Sequence, residues 1–315
     1  MNILVPLSSS DPLDAFCQAG ADEFYIGFYD TAWDTRFGSF EEINRMSSFG
    51  SQANFPIQEL EKLVTQIHIR GKKVFVTLNS AAYSFDQILW IDSYVEQLKA
   101  FSIDGIILGS LELLCHLRGC GLPLSMSTMG GTYNSGIISF YQDLGVKRII
   151  LPRDITLRDM EKIVSQFPGI LFEAFLMRNG CKYSDANCMS YHSRKCGSMC
   201  ATLDIDSYTI ETNPAMKTQD VREIHANHTL FTKAFHKRTC GLCVIDDLLN
   251  IGISSVKIVG RADRFDSVIA DIKQVRTLID APGHSRMSIN ENCLYQLNCY
   301  YNCNHSQQYD CCHIY

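Results

Sequence analysis

Eight short apolar runs, at residues 2–6, 20–28, 72–78, 104–110, 122–128, 146–152, 169–176 and 255–260, constrain this chain more than any other feature. Each is separated from the next by Gly-containing turns and segments of helical period, such as the one carrying Leu60, Leu63, Val64 and Ile67 ahead of Gly71. Strands that are apolar throughout, rather than alternating, are buried on both faces, which is the condition of a parallel sheet covered by helices. Eight such units predict an α/β fold of the closed (β/α)8 TIM-barrel type. The alternative is an open, doubly wound sheet, but no G-x-G-x-x-G follows the first run, so its dinucleotide-binding version has no support. The expected layout is a barrel over residues 1–265, including a Cys-rich loop and insertion at 177–243, then a C-terminal helix and Cys-rich tail over 266–315.

The chain's 315 residues are enough to bury a full core, so its fourteen cysteines are not needed as staples. Cys181, Cys188, Cys196 and Cys200 crowd the stretch after the seventh run, and Cys240 and Cys243 stand at the start of the helical segment that feeds the eighth. In a (β/α) barrel, functional groups gather at the carboxyl ends of the strands. Both groups are expected there and are expected to converge. Thiolates are soft ligands suited to an iron-sulfur cluster or to zinc. Cys17, Cys115 and Cys120 lie among apolar residues and read as small buried hydrophobes.

The insertion at 201–238 carries His225, His228 and His236, which read either as solvated side chains or as ligands and acid/base groups. The tail carries Cys293, Cys299, Cys303, Cys311 and Cys312 with His305 and His313. Their irregular spacing fits an exposed, redox-labile tail or a second metal site. The long segment 29–54 is expected to form part of a lid or a partner surface. A net charge of −6 argues against broad electrostatic binding of nucleic acid and makes a small molecule or a protein the default substrate. No charged leader and no apolar run of membrane-spanning length is present, so a soluble cytoplasmic protein with reduced thiols is expected.

The motif Glu173-Ala174-Phe175, five residues, Cys181, six residues, Cys188 resembles the signature of the collagenase-like peptidase family U32. GADEFYIG, RGKKVFVTLN, DGIILGS, the Ser127-Thr128 pair, LGVKRIILPRDITLRDMEKI and LCVIDDLLNIGISSVKIVGR resemble the same family, over about residues 1–265. The resemblance implies a barrel. In members acting in oxygen-independent hydroxylation of ubiquinone precursors or tRNA, it also implies a 4Fe-4S cluster on four cysteines. Carried over, the ligands are Cys181, Cys188, Cys200 (or Cys196) and Cys243, with zinc as the alternative metal; Cys240 has no counterpart. The pattern's His-Gly reads Met177-Arg178 here, its glycine before the second cysteine is Ala186, and its K-x-E-G-R reads Lys257-Ile258-Val259-Gly260-Arg261.

The function expected from this resemblance is an iron-sulfur enzyme that hydroxylates or otherwise modifies a small molecule, RNA or peptide. Arg153, Lys257 and Arg261 would act as catalytic groups that orient an anionic substrate, or would serve in structural ion pairs. The alternatives are a collagenase-like peptidase and a non-catalytic subunit of a heterodimer with a related protein. The chain has no H-E-x-x-H and no G-x-S-x-G to support hydrolysis.

Overall fold

The computed structural model describes residues 1–38, 41–178, 181, 185–188, 219, 239–283 and 298–299. Its strands are β1 (Asn2–Pro6), β2 (Glu23–Ile26), β3 (Phe28–Tyr29), β4 (Phe55–Pro56), β5 (Lys73–Leu78), β6 (Gly105–Leu108), β7 (Leu124–Met126), β8 (Arg148–Ile150), β9 (Leu171–Met177), β10 (Thr239–Cys240), β11 (Ser255–Ile258) and β12 (Asn298–Cys299). The helices are α1 (Leu13–Ala19), α2 (Thr31–Phe37), α3 (Leu60–Ile69), α4 (Phe85–Ala100), α5 (Leu111–His116), α6 (Ser135–Asp143), α7 (Leu157–Gln166), α8 (Ile245–Ile251) and α9 (Phe265–Asp280).

Eight strands pair in the order β11-β1-β2-β5-β6-β7-β8-β9, and β9 pairs back onto β11, so the sheet closes. All eight barrel pairings are parallel, and each of the eight apolar runs overlaps one of these strands. The fold is the expected (β/α)8 barrel. Closure runs through the register Ser255 to Glu173 on one side of β11 and Ile3 to Val256 on the other.

Sequence chemistry explains the helices that cover the barrel. Leu60, Leu63, Val64 and Ile67 of α3 are all buried, as their spacing requires. At the start of α4, Ser84 and Gln87 form a reciprocal capping box that satisfies two otherwise orphaned N–H groups. The last helix, α9, packs against α1 with Phe16 and Phe265 edge to face at 6.3 Å. Arg276 of α9 donates to the Gly20 carbonyl and to Asp22, fastening the barrel's final helix to its first βα unit.

The segment after β3, expected as part of a lid or a partner surface, packs as a cap: Trp33 is fully buried, with its Nε1 donating to the Glu41 carbonyl at 2.8 Å, and Tyr83 Oη donates to the Ile43 carbonyl at 2.7 Å. One local expectation is corrected. Cys115 is exposed, because α5 turns Leu113 and Leu114 inward instead. Cys17 and Cys120 are half-buried against the core. Among the described residues no helix is long and apolar enough to cross a membrane.

Candidate functional site at the barrel mouth

Strand alternation carries side chains into the barrel, and here that interior is ionic. Arg148 on β8 donates to Glu23 on β2 at 2.5 Å and to Glu173 on β9 at 2.9 Å, and Lys257 on β11 donates to the other Glu173 oxygen at 3.0 Å. Asn2 and Ser255 complete the shell of Glu23 at 3.0 and 3.1 Å. Two carboxylates therefore offset two cations in a buried interior, where an unpaired charge would cost several kcal/mol. Burial works to raise the pKa of Glu23, but the Arg148 charge and the hydrogen bonds outweigh it and hold the carboxyl below its ordinary range. Burial works against Arg148 too, yet Glu173 and Glu23 hold its pKa above the usual value. For Lys257 burial dominates over Glu173, and its pKa falls. The cations also rest on aromatic faces: Arg148 lies 4.7 Å from the Phe75 ring and Lys257 Nζ 4.2 Å from the Tyr25 ring.

Above this layer the loops converge. Arg153, just past β8, reaches both carboxylate oxygens of Asp185 at 2.5 Å and lies 3.8 Å from the Phe175 ring. Its partner belongs to the short turn Asp185–Asn187, immediately before Cys188. Arg45, from the cap, donates to Cys188 Sγ at 3.2 Å. Arg178, just past β9, has φ +66, a left-handed conformation that a non-glycine residue adopts at a cost. Its guanidinium binds the buried Asp271 of α9, and Asp263 at 3.4 Å.

Arg261 follows β11 and is held differently. Its Nη1 donates to Asn54 at 3.1 Å and to Thr77 at 3.4 Å, and its Nη2 donates to Asn44 at 3.1 Å. All three acceptors are neutral. Gly27 makes room for it, since a Cβ there would stand 2.0 Å from Nη1 and 2.2 Å from Asn54 Oδ1. Burial brings the Arg261 pKa down to about 10, so the side chain is still a cation at neutral pH.

The cysteine segments reach the same end of the barrel. Cys240 pairs with Met177, antiparallel, at the carboxyl end of β9, and Gly241 N donates to the Leu176 carbonyl at 2.7 Å. Cys243 is buried in the turn Leu242–Val244, which leads directly into α8. Cys181 and Cys188 are half-buried. The backbone of Cys299 lies opposite that of Cys240, because β12 pairs with β10. Cys196, Cys200, the three insertion histidines and the other tail cysteines lie outside the described residues. Among the described residues no three Cys, His, Asp or Glu side chains stand together as a metal site. The thiolate chemistry of the segment suits iron-sulfur or zinc alike.

Of the three cations singled out in the sequence, Lys257 and Arg153 are paired with Glu173 and Asp185, whereas Arg261 is not paired with a carboxylate among the described residues. Sequence reading missed Glu23 and Arg148, Asn44 and Asn54, and the Arg45 contact to Cys188. A charged residue inside each of several otherwise apolar strands was the available signal for the ionic interior.

These features define a (β/α)8-barrel protein with a cationic, thiol-flanked mouth at the carboxyl ends of its strands. The chain belongs to the family described as peptidase family U32, whose model matches residues 8–313. It is 26% identical over 145 residues to tRNA hydroxylation protein P of Escherichia coli (strain K12), covering 44% of this chain and 30% of that protein. It is 21% identical over 274 residues to a collagenase of Porphyromonas gingivalis, covering 82% of this chain and 61% of that one. With the 23S rRNA 5-hydroxycytidine C2501 synthase of E. coli K12, identity is 23% over 235 residues, covering 74% and 35%. The chain thus spans less than two thirds of each relative. The solved U32 peptidase Mk0906 superposes with a TM-score of 0.44 at 13% identity, over 57% of this chain and 70% of that one.

Two departures from the family pattern turn out to be neighbours. Met177 stands where the pattern has histidine and Val259 where it has glutamate, and Val259 N donates to the Met177 carbonyl at 3.2 Å. The same junction lacks both polar groups at once.

Proposed function

We propose that this protein carries out an iron-sulfur-dependent, oxygen-independent hydroxylation or related modification, with RNA as the favoured substrate class. The carrying observation is the meeting of cysteine-bearing segments with a cationic mouth at the barrel's carboxyl end. The names of two relatives, a tRNA hydroxylation protein and an rRNA hydroxycytidine synthase, support RNA over a small molecule or peptide. Cys181, Cys188, Cys200 and Cys243 would hold the cluster, with Cys196 the alternative third ligand. A bound cluster supplies one-electron transfer at the mouth.

The chain's own residues supply the rest. Arg45 fixes the Cys188 sulfur, and Arg153 fixes the turn before it through Asp185. Asn44 and Asn54 orient Arg261 toward an anionic partner. Replacing C–H by C–OH takes two electrons from the substrate, so the reaction requires an oxygen donor that accepts them.

The test is anaerobic purification with iron and acid-labile sulfide assays, followed by mass spectrometry of nucleosides from RNA incubated with the protein. Iron, sulfide and a gain of one oxygen on a base support the reading. A colourless protein with stoichiometric zinc and no sulfide rejects the cluster. Robust peptide hydrolysis by cluster-free protein promotes the peptidase reading instead. A second reading, a non-catalytic subunit paired with a related protein, is favoured by the Met177 and Val259 replacements; co-purification of an active heterodimer from which this chain's cluster is dispensable would establish it.

A further inference from the structure

Arg261 is more than nine-tenths buried, yet among the described residues its only acceptors are Asn54, Asn44 and Thr77. Every other strongly buried cation in the barrel has a carboxylate: Arg148 has Glu23 and Glu173, Lys257 has Glu173, and Arg178 has Asp271. A buried full charge without a counter-charge is costly, and proteins retain one where something else supplies the compensation. Of the five guanidinium N–H groups, three donate to the protein. The Nε–H and one Nη2–H have no acceptor among the described residues.

We infer that Arg261 is the docking point for a compact oxyanion, a carboxylate or phosphate group of a small molecule, at the carboxyl-end mouth of the barrel. Three hydrogen bonds fix the plane of the guanidinium, and two unused donors on one rigid group suit an oxyanion better than a point charge would. Lys257 and Arg153, already neutralised by Glu173 and Asp185, are left out of the anion's first contacts. The burial of Arg261 favours a small anion over the backbone of a polymer, whose phosphates are bulkier and tethered. The inference rests on the proposed function only in treating the anion as a reaction partner, because binding is read without turnover.

The experiment uses the full chain and titrates inorganic phosphate and malonate, with chloride at equal ionic strength as the control, by calorimetry and by thermal melting. One saturable equivalent of phosphate or malonate, with a melting temperature that rises with it and not with chloride, is expected. Whether phosphate or malonate binds identifies the source chemistry. Arg261→Lys is expected to weaken binding roughly tenfold or more, since a single ammonium cannot replace the fork. Asn44→Asp, which gives the guanidinium a carboxylate of its own, is expected to abolish binding while the chain still folds. It decides the matter if Arg261→Lys fails to fold. No saturable equivalent in the wild type, or binding unchanged in both Arg261→Lys and Asn44→Asp, overturns the inference. So does a single-stranded RNA oligonucleotide that binds through Arg261 while neither small anion does. A protein that binds the anion but holds no iron sinks the proposed function and leaves this site standing.

Discussion

Arg178 and Asp271 tie the carboxyl end of β9 to α9, and they do so from a left-handed backbone that places an arginine where the family pattern has glycine. Replacing Arg178 by Gly relieves about 1–2 kcal/mol of conformational cost. It also takes the guanidinium from a carboxylate that is 1% exposed, at a cost of about 3–5 kcal/mol. A net loss of roughly 1–4 kcal/mol is expected in urea denaturation. Adding Asp271→Asn to Arg178→Gly should recover much of it, and a double variant no more stable than the single one would count against the pairing.

The ionic interior predicts a cost and a pH dependence. Glu173→Ala leaves Arg148 and Lys257 short of a carboxylate and should lower stability by about 3–5 kcal/mol. Because the Glu23 pKa is lower in the fold than its ordinary 4.5, its contribution is fully present above that value and is lost as pH falls through the lower folded value. Glu23→Gln should flatten that acid limb in a pH series of melting temperatures. An unchanged acid limb would show that other groups carry it.

Gly27 is held to glycine by packing. A Cβ there meets Arg261 Nη1 and Asn54 Oδ1, so Gly27→Ala forces the guanidinium out of its cradle. Overpacking of this kind costs about 1–3 kcal/mol. The same variant should weaken anion uptake in the calorimetric titration, and wild-type binding in Gly27→Ala would separate the cradle from the site.

For the proposed cluster, cysteine replacements separate its ligands from bystanders. Cys181→Ser and Cys243→Ser should lose iron and sulfide together, because a hard hydroxyl is a poor substitute for thiolate on iron. Cys115→Ser, on an exposed helix face, should keep full iron content. Iron retained in Cys243→Ser would move the fourth ligand to another cysteine, with Cys240 the nearest in sequence.

The barrel was legible because its eight strands are apolar on both faces, and no helix of comparable length imitates that pattern at residues 72–78 or 104–110. The carboxyl-end placement of Cys240 and Cys243 followed from strand order alone. Partnerships were not legible: Glu23 and Arg148 lie on β2 and β8, far apart in sequence, and only closure of the sheet brings them together. Likewise the departures at Met177 and Val259 lie far apart along the chain, and only the hydrogen bond between their backbones shows that they are neighbours. Cys115 was misjudged because its apolar neighbours, Leu113 and Leu114, occupy the buried side of a short helix by themselves.

The ladder between Cys240 and Met177 returns the chain to the strand end it left at Arg178. Departure and return points in an antiparallel pair lie only about 5 Å apart, so everything spliced between them hangs on a gap of constant width. Changing the length of that stretch costs the barrel little, about 0.6 kcal/mol for each doubling. The chain therefore leaves and re-enters the barrel at one strand end, and the closing pairs of β9 with β8 and β11 set no length for what runs between Arg178 and Thr239.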